Sequence, residues 1–185
     1  MRVSLEIRFH GRGGQGVVTS AELLAIAAGK QGLWSSAFPI YGAERRGAEI
    51  EAYCRISNQP IRLTSPIEDP DIVVIIDPTL LNISNPLRGL KKDGKVLINA
   101  KSVNIPFTTY VIDAYKIARE IGLIKSGWPM VNVIILGALA RIINLSLDSL
   151  NEAIDEEFEG KVADLNKRGA EIAYKIISEV YEFAI

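Results

Sequence analysis

The residues of this chain best suited to holding a ligand are Gly11, Gly13, Gly14, Gln15 and Gly16, in the stretch Phe9-His10-Gly11-Arg12-Gly13-Gly14-Gln15-Gly16-Val17. Four glycines in six residues gather where a backbone must take positive φ or approach another molecule with no Cβ in the way. An alternating apolar run precedes them and a long apolar stretch follows, so the segment reads as strand, turn and helix start. The N–H groups of such a turn, backed by a helix N-terminus, suit an anionic group such as a phosphate. The spacing Gly11-x-Gly13-x-x-Gly16 matches the dinucleotide-binding fingerprint, with a purely structural tight turn as the alternative. A second candidate set is Glu44, Arg45 and Arg46, within the loop from Phe38 to Glu49. Guanidinium forks match phosphate and carboxylate oxygens, while a solvated or interfacial charge cluster is the other reading.

Three further groups bear on the chemistry. His10, the only histidine, stands at a strand end beside the glycines, where a general base could sit. No carboxylate or serine is near it in sequence to form a relay, so a local hydrogen-bonding role is expected. Asp77, in Asp77-Pro78-Thr79, is expected either to cap the next turn or to touch a ligand. Cys54, the only cysteine, excludes an internal disulfide and any cluster held by several thiolates of this chain. It falls on the apolar phase of its run and reads as a buried structural residue. A dinucleotide site of the NAD type would also place an acid at the end of the second strand, about 20 residues beyond the glycines. Ser35, Ser36 and Ala37 stand there instead, which makes NAD a minor reading. No catalytic residue and no metal-ligand set is assigned to the chain.

The elements that must position these residues follow from periodicity. Val3, Leu5, Ile7 and Phe9 alternate with polar residues, as in a strand whose second face is wet or covered by polar partners. That pattern points away from a regular doubly wound parallel sheet. Val17 to Lys30 is apolar on nearly all sides and predicts a helix buried on more than one face, with a partner chain as the expected cover. Leu33 to Phe38 reads as the second strand. Glu49 to Ile56 and Ile61 to Leu63 read as a β-hairpin turning at Ser57-Asn58-Gln59-Pro60. Asp71 to Asp77 is continuously apolar and β-branched between its acids, the pattern of a central buried strand. A short helical stretch from Asn85 to Lys91 is expected next, then strands from Lys95 to Asn99 and from Thr108 to Asp113. Helices follow at Ala114 to Ile121, stopped by Gly122, and at Asn132 to Ala140, with Trp128-Pro129 in a loop between them. Gly137 inside that second helix implies a close helix–helix contact. Ser149 with Glu152, or Ser146, caps a helix running to Phe158. Lys161 to Phe183 forms the last helix, with Val162, Leu165, Ile172, Ala173, Ile176, Ile177 and Val180 expected to face the core.

Together these elements predict an α/β fold: a single Rossmann-like three-layer domain over residues 1–185, with a mixed, mostly parallel sheet, a β-hairpin and flanking helices. At 185 residues and 48% hydrophobic content, the chain has material for one well-packed core. A net charge of −1 and no basic cluster argue against nucleic acid. No charged-then-apolar leader and no run of 18 or more apolar residues is present, so no membrane association and a cytoplasmic location are expected.

Several segments in order carry a resemblance. They are Gly11-Arg12-Gly13-Gly14-Gln15-Gly16, Phe38-Pro39, Gly42-x-Glu44-Arg45-Arg46-Gly47, Asp71 to Pro78, Asn132-x-x-x-Leu136-Gly137-Ala138 and Phe158-x-Gly160-Lys161. The chain resembles, over nearly its whole length, the gamma subunit of 2-oxoacid:ferredoxin oxidoreductases, the pyruvate synthase group. The resemblance implies a complex that oxidatively decarboxylates a 2-oxoacid, pyruvate first, on thiamine diphosphate. It passes electrons through iron–sulfur clusters to ferredoxin and releases CO2 and an acyl-coenzyme A. No Gly-Asp-Gly diphosphate motif followed by paired asparagines occurs here. Thiamine diphosphate, Mg2+ and the clusters are therefore expected on partner subunits of alpha, beta and delta type, with this chain not active alone and coenzyme A as co-substrate. On this reading Gly11, Gly13, Gly14, Gln15, Gly16, Glu44, Arg45 and Arg46 line a surface facing coenzyme A or the substrate channel. The alternatives are the same role in an indolepyruvate, 2-oxoisovalerate or 2-oxoglutarate enzyme, a stand-alone nucleotide- or flavin-binding module, and a purely structural subunit.

Overall fold

A computed structural model describes residues 4–40 and 47–177. Its centre is a six-stranded sheet in the order β2-β3-β1-β4-β5-β6. These strands are β1 (Leu5–Arg12), β2 (Trp34–Pro39), β3 (Glu49–Ser57), β4 (Ile72–Ile75), β5 (Lys95–Asn99) and β6 (Thr108–Ile112). β1, β4, β5 and β6 are parallel, whereas β3 runs antiparallel to both β1 and β2. The sheet is therefore mixed, as the alternating pattern of β1 foretold. In β4 every residue is buried, because it lies between two neighbours with both faces covered.

The two faces are covered by different material. Ile7, Phe9, Ile72, Val74 and Leu97 pack under the helices α1 (Val17–Lys30), α2 (Ala114–Ile121), α3 (Asn132–Ile142), α4 (Leu147–Glu157) and α5 (Gly160–Ile177). On the opposite face Val73, Ile75, Val96 and Ile98 pack under Leu90, with Leu81, Leu87, Val103, Ile105 and Phe107 around them. That third layer is a 3-10 helix (Pro78–Asn82) and irregular loops, with no α-helix among the described residues. The polar side of β1 is covered as well: Arg8 and His10 are fully buried beneath it.

Several expectations are corrected. Residues 58–71 form no strand, and Leu63 is exposed. β3 instead pairs along its length with β1 on one side and β2 on the other, which buries Ala52, Cys54 and Ile56 far better than a local hairpin would. The small antiparallel hairpin is β7 (Ile124–Lys125) with β8 (Trp128–Pro129), so Trp128-Pro129 is paired rather than in a loop. Residues 85–91 form turns, because the chain there must cross the sheet face and leave Leu87 and Leu90 pointing into it. α1 is enclosed by its own chain, through β1, β2, β3, α3 and α4, so the described fold supplies the cover expected from a partner. Ser146, not Ser149, caps α4, accepting from Ser149 N. α5 buries Ala163, Asn166, Gly169, Ala170, Ala173 and Ile177, leaving Val162 and Ile176 exposed. Small residues take its central seam because α3 lies so close that a Cβ on Gly137 would run into the Ala170 carbonyl. Val180 lies outside the described residues.

Candidate functional site: the glycine turn and its acidic anchor

β1 continues through Arg12, and α1 begins at Val17, leaving only four residues to reverse the chain. Gly14 (φ 91°) and Gly16 (φ 73°) take left-handed conformations that let the turn close. Gly11 and Gly16 have a second constraint. A Cβ on Gly11 would lie 2.6 Å from Val17 Cγ2, and one on Gly16 would lie 2.5 Å from Asn132 Nδ2. Tight seating of α1 against β1 and α3 thus accounts for both positions. Gly14 is the exposed tip, and no side chain among the described residues caps α1 behind it. The N-terminal N–H groups of that helix and its dipole favour an anion at this end.

The turn is strapped at both sides. Gly13 N donates to Ala48 O at 2.7 Å, and Gly47 N donates to Gly13 O at 3.2 Å. Arg12 N donates to Gln15 Oε1 at 2.7 Å, folding the Gln15 side chain back under the turn. The Asp77 carboxylate, following β4, gathers the rest. Its Oδ2 accepts from Arg12 Nε at 3.1 Å and Gln15 Nε2 at 3.0 Å, and its Oδ1 accepts from Thr79 N at 3.0 Å and Thr79 Oγ1 at 2.6 Å. Arg12 also donates through Nη1 to Gly47 O and through Nη2 to Thr79 Oγ1. Burial by itself would push the Asp77 carboxyl up. The hydrogen bonds from Thr79 and Gln15 and the Arg12 charge outweigh it and hold the group below its ordinary value. Of the two roles expected for Asp77, capping is what these contacts make plain. Glu44, Arg45 and Arg46 lie outside the described residues. Gly47, the residue after Arg46, is hydrogen-bonded to the glycine turn.

On the face of β1 turned away from the helices, His10 has carboxylate neighbours that spacing along the chain could not reveal. The β1–β3 register sets His10 opposite Glu51 and Arg12 opposite Glu49. His10 Nδ1 lies 3.6 Å from Glu49 and 3.7 Å from Glu51, too far for direct hydrogen bonds. Arg8 Nε donates to His10 Nε2 at 2.9 Å, and a guanidinium has only protons to offer, so neutral His10 carries its own proton on Nδ1. Burial, opposed by Glu51 and reinforced by Arg8 and Arg88, lowers the His10 pKa to about 4. The contacts with the two glutamates are therefore not ion pairs at neutral pH. His10, Glu49 and Glu51 come close enough to share a metal ion. A metal on Nδ1 would require that proton to leave while Arg8 still occupies Nε2. Arg88 and Tyr53 already bind the Glu51 carboxylate, at 2.7 and 2.8 Å. The expected hydrogen-bonding role of His10 stands, and the expectation that no carboxylate is near it does not. The rest of the Arg8 guanidinium donates to the carbonyls of Ile67, Glu68, Pro86 and Arg88, tying the loops on this face to β1. Cys54 is fully buried, and burial pushes its thiol up, as a structural role requires.

Similarity to known proteins fits this architecture. The family model for pyruvate ferredoxin/flavodoxin oxidoreductase matches residues 6–176. The "Pyruvate synthase subunit PorC" of Methanothermobacter marburgensis is 46% identical over 177 residues, covering 92% of this chain and 96% of that one. The "Pyruvate/ketoisovalerate oxidoreductases common subunit gamma" of Pyrococcus furiosus is 43% identical, covering 96% of this chain and 99% of that one. Among solved structures, the pyruvate oxidoreductase subunit PORC of Thermotoga maritima superposes with a TM-score of 0.80 at 34% identity, covering 94% of this chain and 97% of that one. A 2-oxoglutarate:ferredoxin oxidoreductase chain of Magnetococcus marinus, solved with 2-oxoglutarate, coenzyme A and succinyl-CoA bound, shares the fold. Its TM-score is 0.82 at 20% identity, and the match covers 98% of this chain but 32% of that one. With a family model spanning nearly the whole chain and relatives matched end to end, this chain belongs to the pyruvate ferredoxin/flavodoxin oxidoreductase family, as a gamma-type subunit.

Proposed function

We propose that this chain, folded as one domain over residues 1–185, presents coenzyme A to the reacting centre of a 2-oxoacid:ferredoxin oxidoreductase complex, with pyruvate as the 2-oxoacid. The observation that carries the reading is the uncapped N-terminus of α1 behind the exposed, left-handed Gly14. The turn of Gly11, Gly13, Gly14, Gln15 and Gly16 receives coenzyme A phosphates there: Gly13 N and Gln15 N are bonded to Ala48 O and Arg12 O, so the donors are the N–H groups of Gly14, Gly16 and the first turn of α1, and Arg45 and Arg46, with Glu44 beside them, complete the surface. The contribution is proximity: holding the acyl acceptor in place rather than making or breaking a bond. A Magnetococcus marinus enzyme chain that includes this fold was solved with coenzyme A bound. Thiamine diphosphate, Mg2+ and the iron–sulfur clusters belong to partner subunits of alpha, beta and delta type, and ferredoxin takes the electrons through the complex. The chain works in the cytoplasm; no helix among the described residues is long and apolar enough to cross a membrane.

Replacing Arg45 and Arg46 together by alanine in the intact complex is the direct test. The apparent KM for coenzyme A is expected to rise at least about tenfold, the equivalent of one charge-assisted contact, with the complex still assembled. An unchanged KM removes the two arginines from the site. One observation favours a purely structural reading: packing alone explains Gly11 and Gly16. Saturable binding of coenzyme A by this chain, lost on replacing Arg45 and Arg46, counts against that alternative.

A further inference from the structure

We infer that Asp77 is a positioning residue for the coenzyme A loop, holding the glycine turn in its receptive shape without touching the ligand. This rests on the coenzyme A reading above. One carboxylate oxygen, Oδ2, receives both Arg12 Nε and Gln15 Nε2, the side chains on either side of Gly13-Gly14. Gln15 Oε1 receives Arg12 N, so Asp77, Gln15 and Arg12 close a ring beneath the turn. The turn cannot change shape without opening that ring. The anchor itself is rigid, because Asp77 follows the wholly buried strand β4, and Thr79 fixes the other oxygen through two bonds. With four donors on its two oxygens, the carboxylate has its acceptor capacity committed to the protein. Its negative charge beside an anion site is answered by Arg12, whose guanidinium also reaches Gly47 O on the strand-connecting loop.

A cap for the 3-10 helix needs only Oδ1, whereas the positioning role needs Oδ2. Asp77→Asn separates the two, since the amide oxygen still accepts from Thr79 N while its NH2 faces Arg12 and Gln15 as an unwanted donor. In the assembled complex the KM for coenzyme A is expected to rise about tenfold, with kcat held within about twofold. The Arg12 amide, monitored by hydrogen exchange, is expected to exchange faster. Asp77→Glu, which keeps the charge, is expected to fall between Asp77→Asn and the parent on both readouts. Unchanged exchange at Arg12 overturns the positioning role whatever the ligand. Faster exchange with an unchanged KM overturns the coenzyme A reading, and this assignment with it. A fall in kcat at constant KM also overturns it. Should Asp77→Asn fail to assemble, Arg12→Met removes the other side-chain donor to Oδ2 while leaving the residue-12 amide bonded to Gln15 Oε1, and is read in the same way.

Discussion

His10 is the residue whose environment departs furthest from what its neighbours in sequence imply. Its pKa of about 4 in the folded chain lies below its ordinary value of 6.5, because burial disfavours the charged imidazolium. Between these two values the unfolded chain binds a proton that the folded chain refuses, so stability falls as pH drops from about 6.5 to about 4. The shift corresponds to roughly 3 kcal/mol at the acid end of that window. Thermal melting from pH 7 to pH 4 should show this loss, and His10→Gln, whose side-chain oxygen can still accept from Arg8, should flatten it. An equally steep acid limb in the variant would assign the loss to other groups. Asp77 acts in the same sense at lower pH, since its depressed carboxyl contributes stability above its ordinary value that is lost as pH falls through the folded one. At this scale the sequence showed residue types and parity but not partners. Alternation put Arg8 and His10 on one face of β1, yet Glu49 and Glu51 reach them only through a register across forty residues of chain. The glycine turn was legible because its constraints are local, and its acidic anchor was half legible because Asp77 is fixed in place by β4.

Elements were legible where periodicity and punctuation agreed. α1, β5 and α2 begin and end where the apolar spacing, glycines and turn residues place them. The hairpin after β3 and the helix over residues 85–91 failed for one reason: tertiary pairing and the need to cover a sheet face outweighed local pattern. The α3–α5 seam gives the sharpest test at this scale. Gly137→Ala would gain about 1 kcal/mol of helix propensity. The new methyl, however, meets the Ala170 backbone carbonyl, which cannot rotate aside. Separating the helices costs about 1–3 kcal/mol, so net destabilisation is expected, seen as a lower urea midpoint. Gly169→Ala faces side-chain carbons of Ile134 and Ile121 and should be milder. A more stable Gly137→Ala would mean that the seam is looser than its geometry. Ser146→Ala, which removes the cap of α4, should lower stability by about 1 kcal/mol.

At the scale of the whole molecule, the fold class and the family were legible because they rest on the order of many segments, and misreading one hairpin leaves that order intact. The division of labour proposed above is tested at the same scale. One cysteine, Cys54, buried in the sheet, cannot hold a cluster, and the one close group of metal-type ligands among the described residues has its histidine Nε2 and one carboxylate already engaged. If partners carry the redox cofactors, gentle affinity purification of this chain from native extract should bring down thiamine-binding and cluster-bearing subunits. The assembly should reduce an electron acceptor only when given a 2-oxoacid and coenzyme A, and the most active acid names the substrate. The chain separated from that assembly should contain neither iron nor thiamine diphosphate while keeping its α/β circular dichroism. Iron or thiamine diphosphate remaining with the separated chain would place redox chemistry here. A chain recovered without partners would leave the glycine turn to serve a stand-alone nucleotide-binding protein, in which the Asp77 ring would hold the same turn for a different phosphate.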